Sequence, residues 1–315
     1  EVEQAEKKSL PKTVIKLTDE IYQKGEKERN SAQMLKAYMW RMKTQDILTP
    51  DSFYVGLRDL EQWAKQTEQP MDRAILHSLI AEFYANYAAD NQWQLRQRTE
   101  IVGETPSADI REWTANMFVE KVRTNVKEAL ADSLLLLKTS SLNYIPFVEL
   151  GETSEYYHHD MYLLLASRAI RALNQIERLE RGSFNGITAS PVKQDIINIY
   201  ERMTDAYETV GLKEGYVLTM LQYLEWKRGN DNKLQPVQLK KGLGEWTADS
   251  DVYKRQGRQT HIMPLWTSLK GSSNQSRYVR KSIWHKSAML LRRCSKSTLC
   301  NFVMRRSVFI RVIAG

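Results

Sequence analysis

The chain has 315 residues, with 46 Lys and Arg against 38 Asp and Glu, and a formal net charge of +8. Its hydrophobic content of 42% is enough to bury a sizeable core, and no apolar run approaches the roughly 20 residues that span a bilayer. The charge is uneven. Residues 254–315 contain 14 Lys and Arg and no acidic residue, which leaves 32 basic and 38 acidic residues, a balance of −6, in the first 253. The global charge therefore gives no support to nucleic-acid binding.

The two ends of the chain differ from its middle. The chain opens Glu-Val-Glu, without a Met or the apolar core of a signal peptide, so we expect the natural N-terminus, with any signal peptide, to be missing. Both cysteines, Cys294 and Cys300, fall near the other end. The 293 residues before them therefore have neither a disulfide framework nor a Cys-based metal site.

The first 250 residues predict one amphipathic helix after another. Apolar side chains recur at helical spacing in eight stripes, and the fourth stripe is broad enough for burial on most sides. The stripes cover residues 14–22, 34–42, 53–64, 75–87, 113–126, 161–176, 196–207 and 216–224. Hydroxyl residues before a proline predict helix starts at Thr49-Pro50, Thr105-Pro106 and Ser190-Pro191, with a weaker start at Gln69-Pro70. We expect extended backbone only at residues 94–102.

These elements predict an all-α fold of irregular stacked helical hairpins, a divergent tetratricopeptide-like or α-solenoid array. The helix starts are irregularly spaced, and no strict 34-residue repeat is present. A polar loop at residues 182–186 suggests a boundary. We predict a helical domain over residues 1–182, a further, truncated helical hairpin over 183–250, and a basic tail over 251–315.

The tail has two interpretations. A basic arm for nucleic acid or anionic lipid is one. However, bulky residues such as Trp266, Trp284 and Phe309 are scattered through it without a period. The string Asp-Val-Tyr-Lys-Arg-Gln at residues 251–256 also resembles a translated linker seen where sequencing reads are mis-joined. We therefore interpret the tail as non-native or disordered, the product of a frame shift or a chimera.

Few residues in the chain are candidates for chemistry. His158, His159 and Asp160 are adjacent, but neighbouring residues on a helix point about 100° apart, which favours a capping or solvated role over a shared metal. The Glu-x-x-His spacing of di-iron bundles occurs once, at Glu155 and His158. His77 lies in a buried-looking helix and is expected to be packed and hydrogen-bonded. No Walker loop, dinucleotide fingerprint or Gly-x-Ser-x-Gly elbow is present. We predict a non-enzyme without catalytic, cofactor-binding or metal-binding residues.

The aromatic residues leave two alternatives open. Large rings at helical spacing are typical of packing between helices, but they could also line a peptide groove of a solenoid. The tryptophans concerned are Trp40, Trp63, Trp93, Trp113 and Trp226.

Four stretches carry a resemblance to a known family. Residues 109–118 (DIREWTANMF), 131–138 (ADSLLLLK), 143–148 (NYIPFV) and 160–169 (DMYLLLASRA) resemble the helical N-terminal region of large bacterial alpha-2-macroglobulin-like proteins. The resemblance covers roughly residues 1–250. It implies an exported, periplasmic or outer-envelope protease trap as the parent protein.

The machinery of that family is not visible in this sequence. Its thioester motif is Cys-x-Glu-Gln, whereas Cys294 is followed by Ser-Lys-Ser and Cys300 by Asn-Phe-Val. The leading hypothesis is therefore a non-catalytic helical scaffold, a fragment of such a protease inhibitor, that contacts the downstream domains of the parent or another envelope protein. The alternative is a free-standing tetratricopeptide-like adaptor that binds peptides or protein partners.

Overall fold

The computed structural model describes residues 1–49, 53–98, 107, 109–149, 159–180 and 190–230. Within these ranges the chain forms eleven α-helices and no β-strand, which confirms the predicted all-α class. The helices are α1 (Val2–Lys7), α2 (Pro11–Lys27), α3 (Ser31–Leu48), α4 (Phe53–Gln66), α5 (Pro70–Asp90), α6 (Gln92–Gln97), α7 (Ala115–Ala129), α8 (Ser133–Lys138), α9 (Met161–Ile176), α10 (Pro191–Thr209) and α11 (Lys213–Asn230). Short 3-10 turns lie at Ile110–Glu112, Ser141–Tyr144 and Glu177–Leu179.

Two of the proline-marked helix starts are confirmed. Pro70 and Pro191 occupy the first turns of α5 and α10, where the missing amide hydrogen of proline costs no helical hydrogen bond. Ser190 caps α10, because its hydroxyl accepts a hydrogen bond from the Lys193 amide at 3.1 Å. The prolines of the other two predicted starts, Pro50 and Pro106, lie outside the described residues.

The prediction of extended backbone over residues 94–102 was wrong at residues 94–97, whereas Arg98 has extended backbone. Residues 92–97 form the short helix α6, and residues 99–102 lie outside the described part of the chain. Leu95 is fully buried, whereas Trp93 is 76% exposed. One buried leucine does not create a visible apolar stripe, so packing against the rest of the fold, and not local periodicity, decides the conformation of this turn.

Helix α5 is the centre of the fold. Of its 21 residues, 14 are buried, which confirms the prediction that this helix is covered on most sides. It packs against α4, α7 and α9, while α2 pairs with α3, and α10 packs against both α9 and α11. In an α-solenoid each repeat contacts only its neighbours. The predicted solenoid-like stacking is therefore not confirmed by an arrangement that surrounds one central helix.

A single hydrophobic core runs through the described residues, from Ala5 in α1 to Tyr223 in α11. Helices α9 and α10, on the two sides of the predicted boundary at residue 182, pack against each other. The division into residues 1–182 and 183–250 stays a prediction. The tail at residues 251–315 lies outside the described residues.

Two polar links join α5 to α9 inside this core. Glu82 and Arg168 form a buried ion pair, and Gln175 donates a hydrogen bond to Asn86 at 2.9 Å. A polar pair between two buried faces fixes the register of the helices, since sliding either helix would leave charges unpaired.

Among the helices that the structure describes, none has the length and apolarity needed to cross a membrane.

Candidate docking cleft

The antiparallel hairpin of α2 and α3 forms the floor of an open cleft of about 580 Å³. Its turn is closed by Asn30, whose side chain accepts a hydrogen bond from the Gln33 amide at 3.1 Å and so caps α3. Helix α1 and the segment around Pro146 complete the cleft. The apolar lining consists of Val2, Leu17, Ile21, Ala37, Trp40 and Pro146.

Trp40 gives the floor its rigidity. Its side chain is only 3% exposed. The Lys43 ammonium lies 4.8 Å from the centre of the Trp40 ring and also forms an ion pair with Glu6 of α1. A cation over an indole face is attracted by the negative face of the ring. Lys43 therefore fixes α1 to α3 at the edge of the cleft.

The segment around Pro146, which forms one wall of the cleft, is held to α3 and α5 by a buried carboxylate. Asp72, at the start of α5, accepts hydrogen bonds from the hydroxyls of Tyr144 at 2.7 Å and Ser31 at 2.5 Å. Burial and the neighbouring Asp72 raise the pKa of the Tyr144 phenol, so this hydroxyl stays a donor at neutral pH. Lys36 adds a second link to this wall through Glu149, at 3.3 Å.

The same wall also presents apolar surface to solvent. Leu142 is 40% exposed and Ile145 is 49% exposed, and both lie on the segment that contains Pro146. Neither side chain is among the lining residues of the cleft.

The rim of the cleft carries charges of both signs. Glu1 and Glu3, at the start of the described chain, and Glu20 of α2 supply its carboxylates. Lys24 of α2 and Lys36 of α3 lie towards the turn that joins these two helices. No three His, Cys, Asp or Glu side chains in the described ranges are placed to hold a metal ion.

The histidine cluster predicted from the sequence is partly described. His158 and Glu155 lie outside the described residues. The carbonyl of His159 accepts a hydrogen bond from the Ser141 amide at 2.8 Å. Asp160 caps α9 through the Leu163 amide at 2.7 Å and accepts the Tyr207 hydroxyl at 3.0 Å. For Asp160 the capping interpretation is confirmed.

His77 is packed and hydrogen-bonded, as the sequence predicts. Its Nδ1 lies 2.8 Å from Oδ1 of Asn125 on α7. The Asn125 amide nitrogen donates to the Lys121 carbonyl at 2.8 Å, which leaves the Asn125 oxygen to accept from His77. This pair links α5 to α7.

The five tryptophans considered in the sequence analysis, of the eight in the chain, have different environments. Trp113 stacks on Tyr84 at 5.3 Å between ring centres, and Trp63 meets Tyr38 edge to face at 5.7 Å. Trp226 packs against Tyr200 and donates to Asn174 at 3.1 Å. These three rings pack between helices, whereas Trp40 contributes to the cleft and Trp93 is exposed.

The cleft is not predicted by the sequence. The segment around Pro146 is held to α5 by the hydrogen bond from Tyr144 to Asp72, and these two residues are 72 positions apart in the chain. Helical periodicity reports which side chains share a face of one helix and not which distant segments meet. The sequence feature that points to the cleft is Trp40, one of the tryptophans that could either pack between helices or line a peptide groove.

No protein-family model matches the chain, and comparisons with curated proteins and with solved structures find no match. The residues of the cleft are therefore interpreted from their own geometry. Membership of the alpha-2-macroglobulin-like family stays a prediction.

Proposed function

We propose that the chain is a non-catalytic helical interaction module that binds a segment of a protein partner in the cleft between α1, α2, α3 and Pro146. The observation that carries this proposal is the combination of an apolar floor, a charged rim and a volume of about 580 Å³. Sites that bind ligands are typically concave, mostly apolar and roughly 300–1,000 Å³ in volume. An open cleft of this kind suits the side chains of a short peptide segment.

The walls of the cleft support binding because they are held before a partner arrives. Asp72 holds Tyr144 and Ser31, and Lys36 holds Glu149. A site whose walls are already linked loses less conformational entropy when it binds. Most of the apolar contact can therefore contribute to affinity.

We further propose that this module belongs to an envelope-associated alpha-2-macroglobulin-like protein and contacts its downstream domains. The support is the sequence resemblance over roughly residues 1–250. Reading the genomic DNA around codon 250 tests this proposal. It predicts an open reading frame that continues into β-rich domains without the basic tail, and a tail encoded in frame would contradict it.

Peptide selection tests the docking proposal. The full chain would be immobilised and panned with a displayed library of random 12-residue peptides. Enriched peptides should lose at least tenfold in affinity for Ile21→Gln, which places an amide in the apolar floor. The matched control is Val55→Gln, at a 52% exposed position of α4 outside the cleft.

Both variants should keep the circular dichroism spectrum and the unfolding midpoint of the parent chain. Val55→Gln should bind the enriched peptides as the parent does. Failure to enrich any peptide, or equal binding to both variants, would overturn the docking proposal.

A further inference from the structure

We infer that the cleft selects a peptide with an asymmetric charge pattern. A bulky apolar side chain contacts Leu17 and Ile21, a Lys or Arg of the peptide faces Glu20, and an Asp or Glu faces Lys24. This inference rests on the proposed docking function and adds the chemistry of the partner to it.

The order of charges along α2 sets this pattern. Glu20 and Lys24 both line the cleft and are four residues apart, with Ile21 between them in the lining. At 1.5 Å per residue this spacing is one turn of helix, roughly 6 Å. Side chains that far apart meet neighbouring residues of a bound segment, so charge and apolar contacts are made together.

The charges on α2 are available to a partner. Glu20 lies 3.9 Å from Lys16, and Lys24 lies 3.8 Å from Glu28, with every one of these side chains at least 56% exposed. Exposed pairs on a helix surface contribute only about 0–1 kcal/mol. A partner charge can therefore replace either intramolecular contact at little cost.

Lys36 differs from Lys24 in this respect. Its side chain is 20% exposed and lies 3.3 Å from Glu149 on the opposite wall. This pair holds the cleft together, so we assign the contact with the partner to Lys24. Glu20 is the carboxylate one helical turn from Lys24, so we assign the contact with a basic side chain of the partner to Glu20.

The same pattern rejects other ligands. Nucleic acid would place phosphates against Glu3 and Glu20, and like charges in contact oppose binding. A uniformly basic peptide would gain at Glu20 and lose at Lys24, and a uniformly acidic peptide would do the reverse. A segment with both signs in the right order satisfies both side chains.

Charge-swapped partners test the inference. One peptide enriched in the library selection would be synthesised together with a version in which Lys and Glu are exchanged. The double variant Glu20→Lys/Lys24→Glu reverses the rim without changing the net charge. The parent chain should prefer the original peptide by about tenfold, and the double variant should prefer the exchanged peptide.

The preference should shrink as salt is raised, because both contacts are exposed to solvent. If Ile21→Gln abolishes binding while the parent binds both peptides equally, the charge inference is overturned and the docking proposal stands. If no peptide depends on Ile21, the docking proposal itself fails. The two failures are therefore distinguishable.

Discussion

Two buried carboxylates act as cross-links between distant elements of the fold. Asp72 and Asp160 are 6% and 2% exposed, and each accepts a tyrosine hydroxyl from a distant part of the chain. A buried charge is tolerated when hydrogen bonds replace its lost hydration. Replacing such a carboxylate should lower the free energy of unfolding more than replacing an exposed helix cap, because the buried tyrosine hydroxyl is left without its acceptor.

Replacing Asp160 with alanine tests this difference. Loss of the α9 cap should cost about 1 kcal/mol, and the unpaired hydroxyl of Tyr207 should add about 1–3 kcal/mol. The matched control is Asp132→Ala, which removes an exposed cap at the start of α8 and should cost only about 1 kcal/mol. Urea unfolding followed by circular dichroism measures both changes. Equal losses in the two variants would contradict a bridging role for Asp160.

Two glycines provide a second comparison. A Cβ added at Gly215 would lie 2.6 Å from the ring of Tyr207, which the bond to Asp160 holds in place. At Gly56 the added atom would lie 2.7 Å from the terminal methyl of Met42, a flexible side chain.

We expect Gly215→Ala to destabilise the fold by about 1–3 kcal/mol, because a fixed ring cannot yield. Gly56→Ala should stay within about 1 kcal/mol of the parent, since Met42 can move and alanine favours a helix. Unfolding midpoints in urea provide the measurement. A more harmful Gly56→Ala would show that Met42 is the more rigid neighbour.

At the scale of elements, the buried pair of Glu82 and Arg168 joins α5 to α9. Arg168→Met removes the ion-pair partner of the buried Glu82 carboxylate, which still interacts electrostatically with Arg171, and should cost up to about 3–5 kcal/mol. The double variant Glu82→Met/Arg168→Met should recover most of this loss, because Oε1 of Glu82 has no hydrogen-bond partner among the described residues. Chemical denaturation of the single and double variants checks the prediction. A double variant as unstable as the single one would assign the cost to packing.

Local signals predicted the helices well. The apolar stripe at residues 75–87 predicted that α5 is buried on most sides, and the pair Ser190-Pro191 predicted the start of α10. These features depend on side chains a few positions apart, which one helix places on one face. Residues 94–97 of the short helix α6 were mistaken for extended backbone, because the single buried leucine of this helix creates no apolar stripe in the sequence.

The cleft could not be predicted in the same way. Its rim uses charges on α1, α2 and α3 that look like ordinary solvated faces in the sequence. The segment around Pro146 is linked to the hairpin by the contacts of Asp72 and Lys36, which join parts of the chain far apart in sequence. Such contacts depend on the packing of whole helices, which a single sequence does not specify locally.

At the scale of the whole molecule, buried tyrosines make the fold sensitive to alkaline pH. Burial, with a contribution from Glu225, raises the pKa of Tyr200 to about 12. Burial and adjacent carboxylates raise the pKa values of Tyr84, Tyr144 and Tyr207 still further. The usual tyrosine pKa in an unfolded chain is about 10. The folded state therefore binds these protons more tightly than the unfolded state does.

Stability should be independent of these groups below about pH 10 and should fall as the pH rises from about 10 to 12. Urea unfolding across this range measures the decline, and absorbance at about 295 nm follows phenolate formation. Tyr200→Phe should show a shallower decline than the parent chain. An identical slope in both proteins would exclude a contribution from Tyr200.

The central position of α5 has a consequence for how the chain folds during synthesis. The hairpin of α2 and α3 can form early, since its partners adjoin in sequence, whereas α5 ends at Asp90 and its partner α9 ends at Ile176. At ~5–20 residues per second, the ribosome needs roughly 4–17 s to make the chain between these two points. During that interval the apolar surface of α5 that later packs against α9 is exposed to solvent. We therefore expect aggregation and chaperone binding of the nascent chain to be greatest after α5 is made and before α9 is complete.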